Sequence, residues 1–94
     1  MQKYNLQAVP TATAARLNAK AVRLMGVYLK AGSDASSCEF KDAATDTGTV
    51  LFSMNCATAI GQFVDLSKLG GIMFSTGCFV KPAGTGAIAY CWYE

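Results

Sequence analysis

From about residue 20 onward the sequence is cut into short apolar runs by clusters of glycine and small polar residues. No other feature limits the fold as strongly. Residues 21–30 are almost continuously apolar, as expected of a strand covered on both faces. Gly26 in the middle of that run points to a bulge or a close backbone approach. Residues 38–42 alternate apolar and polar and read as a half-exposed strand. Residues 49–54 put Val50, Phe52 and Met54 on one face. Residues 60–66, 72–75 and 78–81 supply further short strands, and residues 87–93 close the chain with a strong one. The stretches between them, such as 31–36, 42–48, 67–71 and 82–86, have turn composition.

Short strands recurring at roughly 8–12-residue spacing indicate a β-sandwich or small barrel. The expectation is an all-β chain: a single small antiparallel β-sandwich, jelly-roll-like, with seven or eight strands. Residues 1–19 are rich in alanine and threonine and carry little bulk. Without an apolar stripe at helical spacing, they read as an extended N-terminal arm with a first short strand. The expected organisation is therefore an arm over 1–19 and a sandwich over 20–94.

The final strand carries Ile88, Tyr90 and Trp92 on one face and Cys91 and Tyr93 on the other. An isolated two-layer sandwich needs one buried face per strand. Two apolar faces suggest a third covering layer, such as another subunit. The strand ends at Glu94, which leaves its edge as an expected contact. Composition agrees. Of the 94 residues, 52% are hydrophobic and only 15% charged, against about 25% charged in ordinary soluble domains. A domain of this size buries only about 60–65% of its unfolded surface, so apolar surface is left for a partner to cover.

The same composition excludes several classes. Abundant apolar surface and a net charge of +2 exclude a disordered chain. Eight basic residues against six acidic ones leave little charge to neutralise phosphates, so no specific nucleic-acid role is expected. No apolar run of about 18 residues is present, and no membrane span is expected. The first seven residues lack the apolar core of a secretory signal, which fits a chain that stays in the cytoplasm or has lost its signal.

There is no histidine, which removes the commonest general base and metal ligand. Cys38, Cys56, Cys78 and Cys91 are separated by 17, 21 and 12 residues, without the close pairs of a zinc site. They read as buried free thiols or as two disulfides in one of three connectivities. Asp34, Asp42 and Asp46 lack the alternating ligand spacing of a calcium loop. Glu39 and Asp65 sit in strand patterns rather than in a recognisable acid pair. Ser75-Thr76-Gly77 lacks the elbow of a hydrolase, and Gly84-Thr85-Gly86 is too short to cradle phosphate. No catalytic set, cofactor or metal is expected. Arg16, Lys20 and Arg23 form the only basic cluster, without an interleaved aromatic platform. Tyr90, Trp92 and Tyr93 suit packing in a core or subunit interface, and could also stack on sugars.

An Ala/Thr-rich arm, a long apolar strand over 22–29, the segment Phe74-Ser75-Thr76-Gly77-Cys78-Phe79-Val80, a Gly-Thr-Gly turn and a final aromatic strand occur in this order. Over residues 12–94 this pattern resembles the small β-sandwich virion proteins of tailed bacteriophages, the group that includes capsid cement or decoration proteins. The resemblance implies a non-enzymatic structural protein of the virion, assembled in the host cytoplasm. It would stabilise the shell by bridging major capsid subunits or other virion proteins, often as a homo-oligomer. A tail, neck, fibre or spike component is the alternative, including a carbohydrate-binding host-recognition module. The arm and the final strand are the expected contact surfaces, through Tyr4, Leu6, Val9, Arg16, Tyr90, Trp92 and Tyr93.

Overall fold

The computed structural model describes residues 4–11, 14–17, 21–58 and 60–94. Within them lie nine strands: β1 (Asn5–Pro10), β2 (Ala15–Leu17), β3 (Val22–Lys30), β4 (Ser36–Asp42), β5 (Thr49–Cys56), β6 (Gly61–Asp65), β7 (Ile72–Phe74), β8 (Cys78–Ala83) and β9 (Ile88–Tyr93). The described residues contain no α-helix, and a 3-10 turn lies at Ser67–Leu69. The chain is all-β, as its apolar runs predict.

Two sheets form, ordered β1-β9-β3-β6 and β2-β8-β4-β5, with β7 also paired to β3. Every pairing between strands is antiparallel. β6 and β7 lie end to end along one flank of β3, which is long enough to pair with both. Setting β7 aside, eight strands divide four and four between two sheets, the arrangement of a jelly roll. The apolar sides face one another. Phe40, Phe74, Leu17, Leu24, Leu29, Val27 and Val80 are fully buried between the sheets. The expected irregularity at Gly26 is present as a register shift between Leu24 and Gly26 in the β3–β9 ladder.

Two expectations need correction. The boundary at residue 19 does not separate an arm from a sandwich. β1 is the edge strand of the first sheet and β2 that of the second, so the first 17 residues supply one strand to each layer. The stretches 1–3, 12–13 and 18–20 lie outside the described residues. The edge of the last strand is also not open. β9 lies between β1 and β3, with β1 paired along its whole length from Asn5–Tyr93 to Pro10–Ile88. A buried strand must find partners for its backbone on both sides, and β1 supplies the second set. Thr11 fastens the end of β1, its hydroxyl donating to the Gly84 carbonyl at 2.9 Å. Deleting residues 1–12 would thus remove a sheet strand and its core residue Val9, rather than a free arm.

Candidate docking face

The registers of the first sheet place its outward side chains in a grid. One row across β1, β9, β3 and β6 is Leu6, Trp92, Gly26 and Asp65. The next is Ala8, Tyr90, Tyr28 and Phe63, and the third is Pro10, Ile88, Lys30 and Gly61. Alternation sends the intervening residues inward, among them Val9, Ala89, Cys91, Val27 and Leu29. Lys30 and Asp65 are the only charged members of these rows. Leu6 is 57% exposed and Phe63 55%, while Tyr28, Ile88, Tyr90 and Trp92 are half-buried by one another. The rings interlock: Phe63 meets Trp92 edge-on at 5.9 Å between centroids, and Tyr28 lies 6.2 Å from Tyr90.

The second sheet presents a different outer surface. Glu39 and Lys81 face each other across β4 and β8, and Lys41 lies beside Phe79. Asp46, from the loop after β4, receives Lys41 and, at 2.7 Å, Lys81. Hydrogen bonds from Lys41 and then Lys81 hold the Asp46 carboxyl below its ordinary range. The outer side of the second sheet therefore carries a Lys–Asp ion-pair cluster, whereas the three rows of the first sheet are mainly aromatic and apolar. Monomeric proteins seldom expose such a continuous apolar face.

A groove of about 250 Å³ opens on the aromatic side, lined by Tyr4, Met25, Gly26, Phe63, Asp65, Ser67 and Trp92. Gly26 forms part of its wall, and a Cβ there would touch the Phe63 ring at 3.5 Å. The turn after β6 fixes the rim. Ser67 donates to Asp65 Oδ1 through its backbone N–H at 2.9 Å and its hydroxyl at 2.6 Å. These bonds hold the Asp65 carboxyl below its ordinary value. Gly71 closes the turn at φ 83°, with Met25 Sδ only 2.6 Å from where a Cβ would stand.

Of the expected contact residues, Tyr4, Leu6, Tyr90 and Trp92 lie on this face or its groove. Val9 and Tyr93 do not. They are 1% and 6% exposed and belong to the core, because their strand parity points them inward. Arg16 is on the second sheet beside Phe79. Arg23 is on the first, 3.9 Å from Glu94 and donating to the Gly70 carbonyl. Lys20 lies outside the described residues, and Arg16 and Arg23 sit on different sheets. The sequence reading put Ile88 on one face of the last strand with Tyr90 and Trp92, but missed Tyr28, Lys30, Phe63 and Asp65 as members of the docking face. The available signal was strand parity. Val27 and Leu29 point inward, which turns Tyr28 and Lys30 outward; Val64 and Leu66 do the same for Phe63 and Asp65.

The remaining acids tie loops together. Asp42 accepts the Thr76 N–H at 2.9 Å, and Asp34 accepts the Thr85 hydroxyl at 2.6 Å. No group of three or more metal-ligating side chains gathers among the described residues. All four cysteines are buried free thiols.

The class this architecture defines is an antiparallel, jelly-roll-like β-sandwich with one ionic and one aromatic outer face. No family model matches the chain, and no curated protein matches it. Among solved structures, it is similar to a chain described under "Bacillus endospore appendages form a novel family of disulfide-linked pili". The identity is 15%, the TM-score 0.47, and the match covers 100% of this chain and 86% of that one.

Proposed function

We propose that this chain is a non-enzymatic structural subunit of a bacteriophage virion, a cement or decoration protein that bridges major capsid subunits. The observation that supports this reading is the aromatic outer face of the first sheet. A face of this kind gains stability by being covered. A protein that binds the assembled shell and not its free subunits stabilises the shell by mass action. The ionic outer face of the second sheet would stay in water.

The test uses Leu6→Ser with Phe63→Ser, two exposed positions on the docking face. The double variant should fold like the parent by circular dichroism. Its occupancy on virions stripped of the protein should fall at least about tenfold, the loss expected when central apolar anchors are truncated. Unchanged occupancy, or a parent chain found on no particle by electron microscopy, overturns the reading.

A saccharide-binding module is the second reading, favoured by the groove in which Trp92, Phe63 and Asp65 meet. A ring stacked on Trp92 and hydrogen-bonded to Asp65 would shift Trp92 fluorescence on titration with glycans from an array. An unresponsive Trp92 removes this reading.

A further inference from the structure

We propose that the first occupant of the aromatic face is a second copy of this chain, stacked sheet on sheet about a two-fold axis that runs across the strands. This rests on reading that face as a docking surface and concerns the chain free of the shell, which would take the second copy's place on docking.

Charge placement selects the geometry. Lys30 and Asp65 sit in the outermost of the three rows, with the Tyr90–Tyr28–Phe63 row between them. Four residues of strand separate their levels, roughly 13 Å, too far for a pair within one copy. Lys30 forms no ion pair with any described residue. Both bonds to Asp65 fall on Oδ1, which leaves Oδ2 for another donor.

Two copies can meet face to face about two in-plane axes. An axis along the strands keeps each row opposite itself, so Lys30 faces the level of Lys30 and Asp65 that of Asp65. About such an axis through the middle of the sheet, Lys30 falls over Ile88 and Asp65 over Leu6, so each charge is covered by apolar groups with no opposite charge at its level, which is unfavourable. An axis across the strands, laid along the Tyr90–Tyr28–Phe63 row, exchanges the outer rows. Lys30 of one copy then stands over Gly26 and beside Asp65 of the other.

Shape agrees with charge. The lysine stem enters the groove beside Gly26, against Phe63 and Trp92, and carries its ammonium to the Asp65 rim. At the other end Asp65 approaches Gly61, over which the Tyr28 hydroxyl lies, only 1.9 Å from a hypothetical Gly61 Cβ. The carboxylate therefore finds a phenol donor as well as the ammonium. Trp92 falls over Ile88 and Leu6 over Pro10. The broad side of the molecule measures 33 × 31 Å, enough for the roughly 800 Å² per partner of a standard interface. Packed sheets keep their strands within about 30° of each other, which preserves this exchange of rows.

Sedimentation velocity on the whole chain should show a monomer–dimer equilibrium. Lys30→Glu should weaken the dimer about tenfold, and so should Asp65→Lys. The combined exchange Lys30→Glu with Asp65→Lys should recover most of the loss. Carbodiimide coupling of a mixture of ¹⁴N- and ¹⁵N-labelled chains should give a Lys30–Asp65 link between labels. This last measurement works on the unmodified protein and does not depend on how a variant folds. A chain that stays monomeric at about 1 mM, or a double exchange no better than the singles, overturns the proposal. If Leu6→Ser with Phe63→Ser still empties the shell in that case, the docking reading stands and only the self-pairing fails.

Discussion

Replacing Phe40 with alanine is expected to cost about 3–5 kcal/mol, a large part of the stability of the whole domain. Phe40 is 0% exposed, at the centre of β4, with Phe52 opposite at 5.4 Å between ring centroids. It also faces Val80 across the β4–β8 ladder. Removing the ring loses its transfer energy and leaves a cavity that two hydrogen-bonded sheets collapse into poorly. A chain of 94 residues has roughly 5–14 kcal/mol in total at the usual per-residue value. The melting temperature should therefore fall by some 15–30 °C. Phe63→Ala is the matched control. That ring is 55% exposed on the outer face and shares an edge contact with Trp92, so about 1 kcal/mol is expected. Thermal melts of the two variants compare the same side chain on the two sides of one sandwich. Equal losses would mean that the aromatic face is as essential to the isolated fold as the core, contrary to its assignment as a docking surface.

The contrast between these two phenylalanines also marks what the sequence made legible. β3, β5 and β9 were visible because each contains several bulky residues in succession, and a run of that kind has few alternatives to a strand. The apolar character of both faces of the last strand was visible for the same reason; Ile88, Tyr90 and Trp92 turn to the outer side of the first sheet and Cys91 and Tyr93 to the core. The first 17 residues were harder. β1 buries only Val9 fully, and β2 only Leu17, so neither produces a periodic pattern. Their place is set by a need elsewhere: β9 and β8 each have a flank to pair, and the N-terminal stretch fills both. Such long-range pairing leaves no local trace. Phe63 was missed because a single aromatic between Gln62 and Val64 looks like part of a continuous run. Only with its neighbours' parity fixed by the ladder does it turn outward beside Tyr28.

The second large effect is expected in alkali. Burial, the chief cause, pushes the Cys38 thiol from 9.0 up to about 12, with a smaller contribution from the Glu39 charge. Burial also raises Cys78 and Cys91, each further opposed to ionisation by the other buried thiols around it. All three are held protonated by the fold and released by unfolding. Above pH 9.0 the native state thus binds more protons than the unfolded chain, and stability must fall as pH rises. Each such thiol removes about 1.4 kcal/mol per pH unit until the pH passes its folded value. For Cys38 alone the full interval from 9.0 to about 12 corresponds to about 4 kcal/mol. With three thiols acting together, denaturant midpoints should be level through neutral pH and drop steeply beyond pH 9. The decline should be steeper than Cys38 alone would give, because burial raises Cys78 and Cys91 as well. Cys38→Ala should lose some packing at pH 7, yet show a shallower decline above pH 9, because one proton fewer is released on unfolding. The same burial predicts that a thiol reagent at pH 8 labels Cys38, Cys78 and Cys91 only after denaturation. A stability curve that stays level from pH 8 to pH 11, or prompt labelling of the folded chain, would mean that these sulfurs are not enclosed between the two sheets.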